Sequence, residues 1–386
     1  MRKRQEPATT PTSVLVARGL FALAAAASLV AGVAGGLLRA GVGFPGAVHA
    51  DWIGPAVTAH AFLMICCFLG TVIGIERAVA VKKRWAFSAP MLSGLAGLAM
   101  LSGMPTAAQW TAVGAGLAFV AVNVLVVMRQ RAAHTALLLV AALAWLSGNL
   151  LFAADASAVA VIPWWFSFLV LTIAAERLEM TRLMRRRAAA AASLHAVLGA
   201  MLLGAAASAL SPTAGGVLFG LSLLCLALWL IAFDIARRTV LAHGLSRYMA
   251  VCLLLGYLWL GVAGAAWVTT ALGLPYRDAA LHGLALGFVF SMMLGHAPVI
   301  LPAVARVKLL FTGFFYVPLA LLHATLAVRI VLGHADAAMR AAGALGNALA
   351  IATFAATVIG SALAWRARQL TKARAAGPVP ESVGAP

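Results

Sequence analysis

The feature that most constrains this chain is the regular return of apolar stretches of about 20 residues, with short polar breaks, from Val14 to Trp365. A stretch of that length, folded as a helix, crosses a hydrocarbon core of about 30 Å. The composition agrees, because 64% of the residues are hydrophobic and only 10% are charged, too few for the polar surface of a soluble protein. The sequence therefore predicts an all-α, polytopic integral membrane helical bundle whose main partner is the lipid bilayer.

About twelve transmembrane helices are predicted, all within one transmembrane domain of residues 14–366. The predicted spans are 14–38, 54–76, 87–104, 107–128, 134–153, 159–176, 188–210, 213–235, 247–272, 279–302, 312–333 and 338–364. Residues 1–13 form a cytoplasmic N-terminal tail, and residues 367–386 a disordered cytoplasmic C-terminal tail. Similar Glu-Arg pairs end the second and sixth spans. They suggest three four-helix repeats, although any inward-leaving helix could end in this way.

The net charge of +18 is high enough to suggest a nucleic-acid partner, but its distribution argues for topology. With a cytoplasmic N-terminus, 24 of the 28 Lys and Arg residues fall on the inner side. The four on or near the outer side are Arg39, Arg277, Arg329 and Arg340. By the positive-inside rule, the sequence predicts a multi-pass protein of the plasma (inner) membrane with both termini in the cytoplasm and no nucleic-acid partner.

Histidines inside the spans are the strongest candidates for chemistry, because ionisable groups within hydrocarbon are costly and usually functional. Of nine histidines, four lie inside predicted spans: His60, His282, His296 and His323. His60 and His282 lie roughly 5–10 Å below the outer boundary, on helices that both enter from outside. Neutral imidazoles at equal depth on two helices suit bis-histidine ligation of a haem iron. The alternative is that each histidine is a structural residue, hydrogen-bonded to a backbone carbonyl or a hydroxyl.

The other two intramembrane histidines are separate metal-ligand candidates. His323 lies somewhat deeper and could ligate a second centre or copper. His296 shares a helix face with His282 but lies about 21 Å further along the axis, too far to bind the same metal. Asp278 precedes His282 by one helical turn and is predicted to orient it by a hydrogen bond.

Two further groups of polar residues in the spans are given plainer interpretations. Glu76 and Glu176 each lie beside an arginine near an inner span end, where an interfacial ion pair or proton uptake would explain them. The four cysteines lack CxxC spacing and are expected to pack in apolar surroundings.

Two segments resemble a known family. AHAFLMICCFLGTVIGIERAV in the second span and RDAALHGLALGFVFSMMLGHAP in the tenth resemble segments of the NnrS family, twelve-span haem- and copper-containing membrane proteins associated with nitric oxide metabolism. The layout is also similar to the catalytic subunit of haem–copper oxidases, in which a histidine of the second helix and one of the tenth bind the low-spin haem. The resemblance implies His60 and His282 as haem ligands and supports His296, whereas His323 has no motif match.

The function implied by this resemblance is binding of a b-type haem, and of copper as a second candidate cofactor. A redox or nitric-oxide-related role near the outer face would follow, with a small gaseous or redox ligand; no electron-transfer partner is specified. A binuclear dioxygen-reducing centre is not expected, because the sixth span has no histidine and the seventh lacks paired histidines. The alternative function is a metal-free secondary transporter of a small solute, in which the Gly- and Pro-interrupted tenth span lines the path.

Overall fold

The structure is a computed structural model, which describes residues 12–45, 50–180, 188–304 and 307–375. These ranges contain helices and connecting turns and no strand. Eleven of the described helices are long and apolar enough to cross a membrane. The predicted all-α, polytopic architecture is therefore confirmed, and the chain is a multi-pass membrane protein. Most of the predicted N-terminal tail and the basic residues at 2–4, 182–187 and 306 lie outside the described residues.

The α-helices follow one another with short connections. Their bounds are Thr12–Arg39, Ile53–Thr58, His60–Phe62, Gly70–Val81, Ser88–Leu101, Pro105–Arg129, Ala133–Ala153, Ala158–Met180, Ala188–Ala207, Pro212–Phe233, Ala236–Thr239, Gly244–Ala271, Arg277–His282, Ser291–Val304, Tyr316–Ala327 and Ala337–Ala375. The described residues include two 3-10 turns, Arg84–Phe87 and Gly313–Phe315. They also include three π-helices: Leu63–Leu69 and Gly283–Phe290 lie inside spans, and Val328–Leu332 ends one. We call His60–Val81 the His60 helix and Arg277–Val304 the His282 helix.

The third predicted span, 87–104, differs most from the prediction. Its helix, Ser88–Leu101, has 14 residues and is therefore roughly 21 Å long, short of a hydrocarbon core of about 30 Å. After the helix the chain turns at Gly103, whose φ of 72° is in the left-handed region. Glycine adopts this conformation readily because it lacks a Cβ. The described residues thus hold eleven helices long and apolar enough to cross a membrane, and the helix of the third predicted span is shorter than these.

The chain divides into two compact units. Unit 1 comprises Met1–Cys225 and Gly264–Tyr276, and unit 2 comprises Leu226–Ala263 and Arg277–Pro386. The three four-helix repeats stay a prediction.

The core of unit 1 is aromatic. Trp145 stacks on Phe168 with ring centroids 5.0 Å apart, and Phe119 meets Trp145 edge-on at 5.5 Å. All three side chains are buried. A buried aromatic side chain of this kind removes roughly 150–250 Å² of its surface from contact with the solvent. This packing fixes the helices that face the His60 helix.

The last helix of unit 2 runs further than the sequence indicated. Ala337–Ala375 has 39 residues, roughly 58 Å, and so continues past the predicted tail boundary at 366. Its final turns are rich in Ala, Arg, Lys and Leu, all good helix formers. Lys308 lies over the ring of Trp365 at 5.3 Å from its centroid, which holds this end against the preceding loop. Residues 376–386 of the predicted disordered tail lie outside the described residues.

Candidate functional site

His60 lies at a break in the second span of unit 1. The helix Ile53–Thr58 ends at Ala59, whose φ of −99° and ψ of 20° leave the helical region, and the helix resumes at His60. The ring donates its Nδ1–H to the carbonyl oxygen of Gly32, with 2.6 Å between the two atoms. It also lies against Gly36, because a Cβ on that residue would be 2.7 Å from His60 Cε1. Glycines of the first helix therefore supply both the acceptor and the space for this imidazole.

His282 lies near the start of the His282 helix, in unit 2. Its Nδ1 is 2.9 Å from Asp278 Oδ1 and 3.2 Å from the Asp278 carbonyl oxygen. The same carboxylate accepts two bonds from Arg329, Nε to Oδ2 at 2.9 Å and Nη2 to Oδ1 at 2.8 Å. The predicted contact between Asp278 and His282 is therefore present, and Arg329 extends it.

The two histidines share a tautomer. Carbonyl and carboxylate oxygens accept hydrogen bonds, so each neutral ring carries its proton on Nδ1 and its lone pair on Nε2. Metal-binding histidines show this pattern, because an outer hydrogen bond from one ring nitrogen fixes the orientation of the ring and raises the basicity of the other. His60 belongs to unit 1 and His282 to unit 2.

A π-helix follows each of these histidines. Leu63–Leu69 begins three residues after His60, and Gly283–Phe290 begins directly after His282. A glycine directly after the first segment and one within the second make room for a tryptophan of a neighbouring helix. A Cβ on Gly70 would lie 2.6 Å from Trp145 Cζ2, and one on Gly287 would meet Trp259. Because π-bulges are rare and frequently mark functional sites, both segments are candidates.

The two tryptophans donate to different partners. Trp145 Nε1 donates to Cys66 Sγ at 3.4 Å, and that thiol donates to Asn149 Oδ1 at 3.4 Å. Trp259 Nε1 donates to His323 Nδ1 at 2.8 Å. Each bond lies within one unit and fixes a polar side chain, Cys66 within the first π-helix and the part-buried His323 on another helix.

His323, a predicted metal ligand, has both ring nitrogens in hydrogen bonds. Trp259 can only donate, so Nδ1 accepts and the proton of the neutral ring is on Nε2. Nε2 is 3.2 Å from Ser291 Oγ, which in turn donates to the Gly287 carbonyl at 2.6 Å. As a ligand His323 would have to release one of these bonds.

His296, the fourth predicted ligand, lies on the helix Ser291–Val304 and donates Nδ1–H to the Met292 carbonyl at 2.6 Å. Within the described ranges, no group of three His, Cys, Asp or Glu side chains could hold a metal ion. A haem needs only two axial ligands, so haem and copper both stay predictions.

The predicted inner-end carboxylates meet at one arginine. Arg77 Nη2 is 2.9 Å from Glu176 Oε1 and 3.2 Å from Glu76 Oε1. This geometry corresponds to the ion-pair interpretation, because one guanidinium contacts both carboxylates; proton uptake is not tested.

Sequence reasoning missed Arg329, Asn149 and the two tryptophans. Arg329 was counted only as an exception to the charge pattern, yet it is 9% exposed. The rule that intramembrane polar residues are functional by default applies to arginine and asparagine as well as to histidine, and it would have identified Arg329 and Asn149.

Comparison with known proteins gives a family without an assigned activity. The family described as "Domain of unknown function (DUF8744)" matches residues 18–363. No curated protein and no solved structure matches the chain. The resemblance to the NnrS family therefore stays a prediction.

Proposed function

The chain belongs to the DUF8744 family, and we propose that it is a haem-binding protein of the plasma (inner) membrane, with His60 and His282 as axial ligands of a b-type haem. Its role is redox chemistry or nitric oxide binding near the outer face. The charge pattern of the sequence supports cytoplasmic N- and C-termini.

The observation that carries this proposal is the hydrogen bond from Nδ1 of each histidine. Gly32 holds the His60 ring and Asp278 holds the His282 ring, both in the tautomer whose lone pair is on Nε2, as ligation through that atom requires. His323 has the opposite tautomer because of Trp259. The two histidines selected by depth in the sequence therefore have the tautomer that a metal ligand through Nε2 needs, and a purely structural histidine that donates to a carbonyl has this tautomer too.

Glycines lie beside both rings, and these small residues support the proposal of a flat macrocycle. Glycine at 36 leaves the space that the His60 ring occupies. At Gly283 the packing is looser, because even an added Cβ would make only an ordinary contact, 3.4 Å from Ala263 Cβ. When bound, haem supplies one-electron chemistry and an iron centre for small gaseous ligands. The chain's own residues orient the two imidazoles through the Nδ1 hydrogen bonds.

Copper is the second proposed cofactor, with His296 or His323 as its ligand. His296 has the same tautomer as His60 and His282, so it suits a metal better than His323 does.

A metal-free transporter of a small solute is the alternative function. It is favoured by the interruptions in the His282 helix, which contains a π-helix followed by Pro298 and Pro302. Interrupted spans of this kind line the substrate path in many secondary transporters.

Optical spectra of the detergent-purified protein, oxidised and dithionite-reduced, test the proposal. Wild-type protein expressed with ample haem should show sharp reduced haem bands, and His60→Ala and His282→Ala should lose them. His195→Ala is the matched control, because His195 also donates Nδ1–H to a carbonyl one turn earlier, at 2.7 Å, but is exposed. It should keep the wild-type spectrum.

A second pair of variants separates ligand loss from misfolding. His60→Gly and His282→Gly leave space for free imidazole, and its addition should restore the reduced bands. A colourless wild-type protein, or haem bands that survive both alanine substitutions, would contradict the proposal and direct the work to transport assays.

A further inference from the structure

We propose that Arg329, acting through Asp278, is the positioning residue of His282; this inference rests on the proposed function, because it takes His282 to be a haem ligand. Helical spacing links Asp278 to His282 in the sequence but gives Arg329 no role. The structure joins the three side chains in one hydrogen-bonded chain within unit 2.

The bond between Arg329 and Asp278 is a two-point contact. Nε and Nη2 of the guanidinium reach different carboxylate oxygens, at 2.9 and 2.8 Å. Such a fork fixes the plane of the carboxylate as well as its distance. Oδ1, one of the two oxygens, is also 2.9 Å from His282 Nδ1. The direction of the imidazole is therefore set by a carboxylate that the arginine itself orients.

The backbone at Arg329 is as closely defined as its side chain. Arg329 lies in the π-helix Val328–Leu332. Gly343 of the last helix packs against it, because a Cβ there would be 2.5 Å from Arg329 N and 2.6 Å from its Cα. Of the three π-helices in the described residues, one begins three residues after His60, one directly after His282, and the third contains Arg329. This shared feature, rare in proteins and frequent at functional sites, points independently to Arg329.

The pair should set the donor strength of His282. A carboxylate that accepts Nδ1–H makes the imidazole a stronger donor through Nε2. The positive guanidinium on the same carboxylate draws off part of its negative charge and moderates that effect. Loss of the arginine should therefore strengthen His282 as a donor and favour ferric iron, whereas loss of the carboxylate charge should weaken it and favour ferrous iron.

Redox titration of the haem-loaded protein tests this inference. The midpoint potential should fall in Arg329→Gln and rise in Asp278→Asn, in which the Asn oxygen can still accept from Nδ1. Arg340→Gln is the charge-matched control, since it removes one positive charge from the same unit without touching Asp278, and its potential should shift less than that of Arg329→Gln. Arg329→Lys keeps the positive charge but cannot make the two-point contact with the carboxylate. Its midpoint potential should lie between those of wild type and Arg329→Gln.

The affinity for haem adds a second readout. Removal of an outer hydrogen-bond partner typically weakens metal binding about 10- to 100-fold, so Asp278→Ala should lose haem to an acceptor protein faster than wild type. If the ion pair had a structural role only, Arg329→Gln and Asp278→Asn would both retain haem less well, but their midpoint potentials would not shift in opposite directions. Haem-bound variants that shift in the same direction, or that match Arg340→Gln, would overturn the inference.

A readout without haem distinguishes the two proposals. In apoprotein with ¹⁵N-labelled histidine, the His282 resonances should report a proton on Nδ1, and Asp278→Ala should abolish that preference. A colourless wild-type protein that still shows this dependence contradicts the proposed function and leaves the Asp278–Arg329 control of His282 standing. If the tautomer of His282 is the same in Asp278→Ala, the inference is wrong whether or not haem is bound.

Discussion

The His60 helix of unit 1 and the His282 helix of unit 2 each hold a histidine in the same tautomer, but by different means. In both, a histidine with its proton on Nδ1 precedes a π-helix, and a glycine accommodates a tryptophan. His60 donates to a neutral carbonyl and lies against a glycine. His282 donates to a carboxylate that is bound by a buried arginine. The His60 ring is therefore held mainly by close packing against the first helix, and the His282 ring by an ion pair.

This difference has a physical consequence for each histidine. The carbonyl that holds His60 belongs to the backbone, so no substitution removes it. The position of His60 also depends on Gly36 of the first helix, whose lack of a side chain leaves room for the ring. The position of His282 depends on one ion pair, whose loss leaves a charge in an apolar environment. Substitutions at the ion pair and at the glycines separate the two mechanisms.

Asp278→Ala should have the largest effect. It leaves the Arg329 guanidinium without its carboxylate and should lower the free energy of unfolding by about 3 kcal/mol, at the low end for a buried pair because the Asp278 side chain is 37% exposed. Thermal unfolding in detergent, followed by circular dichroism, measures this. If the two residues act as a pair, Arg329→Ala should cost less in the Asp278→Ala background than alone; additive costs would contradict the charge mechanism.

Gly287→Ala should have the next largest effect, with Gly283→Ala as its matched control in the same π-helix. The added Cβ at 287 meets Trp259, whereas at 283 the nearest atom is Ala263 Cβ at an ordinary 3.4 Å. Overpacking of this kind should cost about 2 kcal/mol at 287, and the control should be close to neutral. Tryptophan fluorescence should change only in Gly287→Ala. Equal behaviour of the two variants would argue against a specific Gly287–Trp259 contact.

Gly36→Ala should have the smallest effect on stability, about 1 kcal/mol, because the atom it meets, His60 Cε1 at 2.7 Å, is at the far end of a side chain that can turn. Gly19→Ala on the same helix has nothing within 4 Å of its Cβ and should be neutral or slightly stabilising. Haem retention should decrease in Gly36→Ala and not in Gly19→Ala. Unchanged retention in both would contradict the role assigned to shape at His60.

The helical architecture could be predicted from the sequence because a chain in lipid can adopt few kinds of secondary structure. Apolar stretches of about 20 residues must be helices, since their backbone groups find no other partners in hydrocarbon. The difference at 87–104 has a local cause: hydropathy detects the apolar segment but not that its helix ends at Leu101, before the turn at Gly103.

The candidate site could be predicted only in part. Depth along the helices selected His60 and His282, and helical spacing linked Asp278 to His282. The contacts of Arg329 with Asp278 and of Trp259 with His323 join residues 51 and 64 positions apart, and no local spacing encodes such pairs. The π-helices were also invisible, because an inserted residue in a helical span leaves its hydropathy unchanged.

Near-infrared magnetic circular dichroism of the oxidised protein is the decisive experiment, because it reports both axial ligands of a low-spin ferric haem. We expect a bis-imidazole signature in wild type and in His195→Ala, and its loss in His60→Ala and in His282→Ala. A protein without haem, or a haem whose axial ligands are unchanged in either of these variants, would contradict the assignment of His60 and His282.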